Sequence, residues 1–425
     1  MRTMGRLLFL AVLTCVAGST FAGSPKLRGM WVDVFHDGIK TPAQVNLLIQ
    51  RAKRANINAL FVQVRSRGQV YHMSAIEHRA PDTMPLFDGL REVIMQAHSQ
   101  DPPIQVHAWI NAFPIWEKGS MPPWSDHVVY THPEWLTKNP RGSTDTEVGK
   151  ALDFGNPEAV EYLKSIYLEV AHNYSVDGIH LDFIRYSGTE WGYNDVSVRR
   201  FFDSLSPAQK KAVLARSISA PKSSGGGDAE GIFPGAENDS DYSIQGLPAT
   251  NDPLFSNWRR AQVTAAVDAI VKGIKAVRPD IVVSAATVPW GNAPSDFKTC
   301  PAYVRCFQDW KSWAQKGSLD MVLPMLYFKE TDHAAYFRNW VNYCANLKAK
   351  SPIAAGIGNW LNTPVQSVAQ AKIADKKLDG FCFFSYASTN PMPGKEAELF
   401  NENFYDAIGK LPKAAPPKAI ITAGP

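Results

Sequence analysis

Cysteine is scarce in this chain: five in 425 residues, one in the N-terminal apolar segment and four from position 300 onward. No two stand in a C-x-x-C spacing, which argues against a structural zinc site. Long runs of one charge are missing as well. The 44 Lys+Arg against 40 Asp+Glu leave a net +4, and that balance offers no basic stripe for nucleic acid. The apolar run near the N-terminus, Leu7 to Ala17, is too short to span a bilayer. No internal repeat is visible. What the chain has in quantity is core-forming residues: it is 45% hydrophobic and 20% charged, which excludes a disordered protein and suffices for a large core.

The opening segment, MRTMGRLLFLAVLTCVAGSTFAG, reads as a targeting signal. Arg2 and Arg6 form a basic start, the apolar run follows, and Thr20-Phe21-Ala22 offers small residues for cleavage. A secreted or periplasmic protein cut near Ala22 is expected, and without those two arginines its net charge is +2. The expected division is a signal over 1–22, one catalytic-type domain over 23–410 and an extended tail over 411–425. An oxidising compartment would permit Cys300 and Cys306 to pair across a loop. Cys382 in the apolar run GFCFFSY reads as a buried thiol.

Short β-branched or aromatic runs alternate with longer stretches of helical period. Strands are predicted at 27–34, 58–65, 104–111, 177–184, 280–288, 319–327, 352–358 and 378–386. Helices are predicted at 42–55, 86–99, 157–174, 254–277, 301–316, 332–349, 364–377 and 395–409. Thr41-Pro42, Asn156-Pro157 and Thr363-Pro364 each place a cap residue before an N1 proline. Eight strands, each followed by helix, is the count of an α/β fold of the (β/α)8 TIM barrel type. A doubly wound sheet would show a glycine-rich phosphate loop after its first strand, where this chain has WVDVFHDG. Two long insertions interrupt the repeat. One, 112–156 after strand three, is rich in Pro, Trp and His. The other, 187–253 after strand four, holds a helical piece (195–217) and then the Gly-rich SSGGGDAEGIFPGAENDSD, read as a solvated loop or a mobile lid.

In a barrel of this type, active sites lie at the carboxyl ends of the strands, and period two selects the inward side chains. On strand four Ile179, Leu181 and Phe183 make an apolar outer face, so His180 and Asp182 must point inward. An ionised aspartate there is costly unless it is paired or functional. Arg185 and Tyr186 follow at the rim. The same parity brings in Trp31 and Asp33, Gln63 and Arg65, and His107, Trp109 and Asn111, while strand six ends at Tyr327 with Glu330 three residues on. A salt-bridged plug, with Arg65 or Arg185 neutralising Asp182, is the structural alternative. Tryptophans at or past strand ends, among them Trp109, Trp290 and Trp360, supply flat apolar faces suited to sugar rings. Trp124 and Trp135 read better as covers for the mouth.

The pieces RGMWVDV (28–34), NALFVQVRSRGQVYH (58–72), VHAWINAF (106–113), THPEWL (131–136), LDFGNPEAVEYL (152–163) and VDGIHLDFIRY (176–186) run in order along the chain. With DMVLPMLYF and GFCFFSY they make it resemble the glycosyl-hydrolase-like family 10 proteins of bacteria. The resemblance implies a TIM barrel and a carbohydrate substrate. Some members of that family are similar to enzymes that cut peptidoglycan strands lacking stem peptides. GIHLD is also similar to the G-x-R-x-D segment of the α-amylase clan, which implies that Asp182 is the nucleophile. His180 stands where that clan has arginine, SAATVPW carries no carboxylate where the clan's acid closes strand five, Asp182 is followed by Phe183 where members often show a second acid, and Met325 replaces a frequent glutamine.

A glycoside hydrolase needs two carboxyl groups, about 5–5.5 Å apart for retention or about 6.5–9.5 Å for inversion. The expected pair is Asp182 as nucleophile or base and Glu330 as acid, its pKa raised by neighbours such as Tyr327 and Phe328; Asp33 is the next candidate acid. Gln63, Arg65, His107, Asn111, His180 and Tyr327 are expected to bind hydroxyls or orient Asp182. No cofactor, nucleic acid or transmembrane partner is called for; the partner is a polysaccharide or oligosaccharide. Two rivals stand beside this reading: a metal-dependent hydrolase using His107, His180 and Asp182 as ligands, and a glycan-binding barrel without catalysis.

Overall fold

The computed structural model describes residues 26–219, 246–387 and 395–412. Eight parallel strands close on themselves: β1 (Leu27–Val32), β2 (Ala59–Ser66), β3 (Gln105–Asn111), β4 (Gly178–Asp182), β5 (Val282–Thr287), β6 (Met321–Leu326), β7 (Ala355–Gly358) and β8 (Gly380–Phe384). Each pairs with its neighbour in sequence order, and the β1–β8 and β1–β2 pairings complete the ring. This is the expected (β/α)8 barrel.

Two faces of the strands make two cores. Val32, Leu60, Val62, Ile110, Ile179, Leu181, Val283 and Val322 face outward into one apolar cluster shared with the helices. Leu27, Trp31, Ala59, Phe61, Trp109, Met321, Leu323, Ala354 and Cys382 fill the inside. Side chains this large fit inside because their neighbours are small. A Cβ on Gly356 would come within 3.0 Å of the Trp31 ring, and one on Gly178 within 2.0 Å of His107 Nδ1. Packing of this kind leaves no room for added volume.

The surrounding helices are α1 (Pro42–Arg54), α2 (Gly89–His98), α3 (Pro157–Asn173), α4 (Pro253–Val277), α5 (Trp310–Lys316), α6 (Glu330–Asn346), α7 (Pro364–Lys377) and α8 (Lys395–Gly409). The three Pro-led starts behave as expected. Thr41 and Asn156 accept from backbone N–H groups of the first turn, and Thr363 with Gln366 forms a capping box. Elsewhere the periodicity misleads. The predicted 301–316 helix is broken into Pro301–Val304 and α5, because Phe307 takes a left-handed φ of 53° and Asp309 caps a fresh start. The 195–217 piece is two helices, Asp195–Asp203 and Pro207–Ser219, since Pro207 begins a new turn.

Both insertions occupy the places expected. Within 112–156, Pro114–Trp116, Gly149–Ala151 and Asp145–Thr146 form a small antiparallel sheet. In the second, Tyr193, Phe201 and Val213 make a satellite core with Phe255 of α4. The Gly-rich loop, the signal segment and all of the tail beyond 412 lie outside the described residues. Cys300, Cys306, Cys344 and Cys382 are all buried free thiols, so the permitted Cys300–Cys306 pair is not formed. No helix among the described residues is long and apolar enough to cross a membrane.

Candidate active site at the carboxyl ends of the strands

Strand β4 places Asp182 at the inner mouth of the barrel. Ile179 and Leu181 pack outward, so His180 and Asp182 face in. The strand ends there because Phe183 adopts a left-handed φ of 50°, a conformation rare for a non-glycine residue. Phe183 packs against the same apolar cluster as Ile179 and Leu181, and its ring lies 4.8 Å from the Arg185 guanidinium. Asp182 is 7% exposed. Its Oδ1 accepts from the Phe183 N–H at 2.7 Å and its Oδ2 from the Trp109 indole at 3.0 Å. No Lys or Arg among the described residues forms an ion pair with it. Burial raises its pKa, and the Phe183 N–H, the Arg185 charge and the Trp109 indole only partly counter this.

Aromatic and amide groups surround the carboxylate. Trp109 and Asn111 come from the adjoining strand, where Asn111 pairs in register with Asp182. Asn111 Oδ1 and the Gln63 Nε2 of β2 are buried without a hydrogen-bond partner among the described residues. Gln63 Oε1 accepts from Val34 N. Unsatisfied polar groups at an inner strand end are suited to ligand hydroxyls. Tyr327 stacks on Phe384 at 5.5 Å and meets Trp360 edge-on at 5.0 Å. Its hydroxyl is pushed far up by burial, with the Asp182 charge adding to the effect. Arg185 sits between Phe183 and Trp290, 5.2 Å from the latter.

One layer below lie two neutral histidines. His180 Nε2 accepts from the Trp31 indole at 3.1 Å and its Nδ1 is 2.9 Å from Ser284 Oγ. Because an indole N–H only donates, the imidazole proton must sit on Nδ1. His107 stacks on Phe61 at 4.6 Å. Burial lowers the pKa of both, that of His107 to about 4. Both His180 nitrogens are engaged, and among the described residues no group of three or more His, Cys, Asp or Glu is arranged to hold a metal. The His107, His180 and Asp182 ligand set is thus not brought together.

Three predicted residues stand apart from Asp182. Arg65 does not follow the inward parity: a register shift after Gln63 pairs it with the outward Ile110, as a bulge does. It is fully buried against Glu77, at 2.6 Å through Nε and 2.8 Å through Nη2. Tyr186 is fully buried and donates to Asp153 at 2.8 Å. Glu330 opens α6, where Arg338 donates to its Oε1 at 2.5 Å and Gln370 to its Oε2 at 2.9 Å. Both partners come from helices α6 and α7, outside the ring of strands.

Asp33 is inward and accepts four hydrogen bonds. Its Oδ1 accepts from Phe35 N, His36 N and His36 Nδ1, the last at 2.7 Å, and its Oδ2 from Ser385 Oγ at 2.6 Å. Burial alone would raise its pKa; the His36 and Ser385 hydrogen bonds, with the Phe35 N–H, outweigh it and hold the carboxyl low. His36, Ser385 and Phe384 are site residues the sequence reading missed. The D-x-x-H spacing after a strand end is the signal that would have exposed His36. Trp124 stacks on His78 and Trp135 on His132, as covers of the insertion.

The model of the glycosyl hydrolase-like 10 family matches residues 26–216 and 229–378. The chain is similar to Glycosyl hydrolase DigH of Escherichia coli K12, at 24% identity over 373 residues, 77% of this chain and 72% of that protein. It is also similar to Glycosyl hydrolase YngK of Bacillus subtilis, at 22% over 336 residues, 73% of this chain and 54% of that protein. Among solved structures, the PgaB (BpsB) glycoside hydrolase domain of Bordetella bronchiseptica superposes with a TM-score of 0.60 at 14% identity, covering 89% of this chain and 98% of that one. A GH42 β-galactosidase of G. stearothermophilus gives 0.58 at 11%, with 91% and 56% covered. These structural likenesses concern the fold. On the span of its family match, the chain belongs to the glycosyl hydrolase-like 10 family.

Proposed function

We propose that this protein hydrolyses O-glycosidic bonds in a bacterial glycan, with Asp182 as the carboxylate that acts on the anomeric carbon or on the attacking water. The observation that carries this reading is the state of Asp182. It ends an inward-facing strand position, lacks an ion-pair partner among the described residues, and has its pKa raised by burial. A purely structural aspartate in such a place is normally neutralised, and a buried carboxyl with a shifted pKa is a common mark of a catalytic one. Trp360, Trp290, Tyr327 and Phe384 offer flat faces for sugar rings beside it, while Asn111 and Gln63 offer free hydrogen-bonding atoms.

The N-terminal signal reading supports export, and peptidoglycan glycan strands are the substrate that suits an exported bacterial protein. The test is reducing-end release from purified glycan strands lacking stem peptides. Asp182→Asn is expected to lower turnover by roughly 10²–10⁴-fold, the scale of a lost acid–base group. Undiminished turnover by a folded variant would remove Asp182 from the mechanism.

One observation favours a second reading. The inward positions closing β5 and β6 carry Ala286 and Met325 in place of a carboxylate. A glycan-binding barrel without catalysis accounts for that, and retention on glycan strands with no release of reducing ends would select it.

A further inference from the structure

Among the described residues that end the eight strands, the inward carboxylates are Asp33 and Asp182, and Asp33 already accepts four hydrogen bonds, three on Oδ1 and one on Oδ2, which favour its ionised form over that of a proton donor. A proton donor for the departing oxygen must then come from another kind of group. His36 lies three residues beyond β1, with its Nδ1 2.7 Å from Asp33 Oδ1 and its backbone N–H on the same oxygen at 3.2 Å. Both ring and backbone are thereby held by one inward carboxylate, whose other oxygen is fixed by the buried Ser385. An ionised carboxylate only accepts, so Nδ1 carries a proton and Nε2 is the atom left to exchange one. The His36 side chain is 49% exposed, and its Nε2 has no hydrogen-bond partner among the described residues. Next to it the Phe35 ring is 56% exposed and carries the Arg67 guanidinium at 5.2 Å, a platform at the rim.

Resting on the glycosidase reading, we infer that the Asp33–His36 pair supplies the acid–base group, with His36 Nε2 giving its proton to the departing glycosidic oxygen. As the anomeric carbon is attacked, by Asp182 or by a water that Asp182 deprotonates, the carbon–oxygen bond breaks and its electron pair stays on the departing oxygen. The imidazolium proton goes to that oxygen. Neutral His36 regains a proton from the water that later opens the glycosyl ester, or from solvent as Asp182 releases the one it took. One water is consumed and both residues return to their starting states.

The charges facing His36 agree with this. The Asp33 hydrogen bond raises its pKa most; burial lowers it; the Asp33 and Asp37 charges raise it and Lys40 lowers it, leaving it raised. The Asp33 carboxylate thus favours the protonated imidazole that a donor role requires.

The experiment uses the full chain and purified glycan strands. His36→Gln is expected to lose roughly 10²–10⁴-fold in kcat with KM within about threefold, and to lose the alkaline limb of the rate profile. Imidazole added to His36→Gly is expected to restore turnover. Independently of turnover, the His36 ring signal in NMR should titrate above its ordinary value, and Asp33→Asn should bring it down. If wild-type chain is active and Asp182→Asn inactive while His36→Gln keeps turnover within threefold and its alkaline limb, the dyad is overturned and the glycosidase reading stands. If wild-type chain binds strands and releases no reducing ends, both are overturned.

Discussion

Asp182 is the last residue of β4, and Glu330 is the first residue of α6, four residues past the end of β6. Both are carboxylates at or just past a strand end, and both were expected at the mouth. Asp182 is on the strand itself, where the pleat dictates its direction and the ring of strands confines it. Glu330 belongs to a helix start, where a side chain takes its direction from the neighbouring helix. Arg338 and Gln370 occupy its two oxygens, and Asn362 accepts from its backbone N–H at 2.7 Å. The lesson is positional: a residue on a barrel strand inherits the active-site face, whereas one a few positions later can be claimed by the helical layer.

The largest effect belongs to the strand residue. If the comparison is sound, Asp182→Asn removes nearly all turnover while the chain still folds: its one amide oxygen accepts from either the Phe183 N–H or the Trp109 indole, and the donor left over costs about 1–3 kcal/mol. The next largest belongs to a charge that looked functional and is built into the structure. Arg65 and Glu77 are 0% and 3% exposed in their side chains, and Tyr162 also donates to Glu77 at 3.0 Å. Removing one partner of such a pair costs about 3–5 kcal/mol. Glu77→Ala should therefore lower the denaturant midpoint strongly while the remaining folded protein keeps whatever turnover per molecule the wild-type chain has. A variant that stays stable and loses turnover would move Arg65 back to the substrate.

Period two made the inner face of β4 legible from sequence, because nothing disturbs that strand before its last residue. The same rule failed for Arg65, where one extra residue in β2 turned the side chain outward. The eight-fold repeat and three helix starts were readable because Thr-Pro and Asn-Pro caps act locally. The Asp33–His36 pair was not, since its meaning depends on Ser385 arriving from the far end of the barrel. How many hydrogen bonds a carboxylate accepts is a tertiary fact.

The histidine layer beneath the mouth gives a third test, of intermediate size. His107 titrates in the folded barrel at about 4, below the ordinary 6.5 of an unfolded chain. The unfolded state therefore takes up this proton first, and stability present above pH 6.5 is lost as pH falls toward 4. The slope is about 1.4 kcal/mol per pH unit for one proton. His180 acts in the same direction, whereas the raised His36 and His98 act oppositely, adding stability below 6.5 that is lost as pH rises through their folded values. His107→Gln isolates the first contribution: its unfolding free energy should fall less steeply than wild type between pH 6.5 and 4. Equal slopes would mean that His107 is solvated in the folded chain.

Glu330→Gln is the smallest expected effect and the sharpest check on the opening contrast. The variant keeps an acceptor for Arg338 and loses only the charge of a pair whose arginine side chain is 44% exposed, an arrangement worth about 0–1 kcal/mol. The one amide oxygen stays with Arg338, the Gln370 amide keeps its Phe328 carbonyl partner, and Asn362 still receives the backbone N–H. Turnover on glycan strands should stay within about twofold and the midpoint should shift by less than 1 kcal/mol. A loss of two or more orders of magnitude in kcat, with the midpoint unchanged, would show that the first turn of α6 opens toward the mouth during catalysis. It would also make Glu330, in place of His36, the donor opposite Asp182.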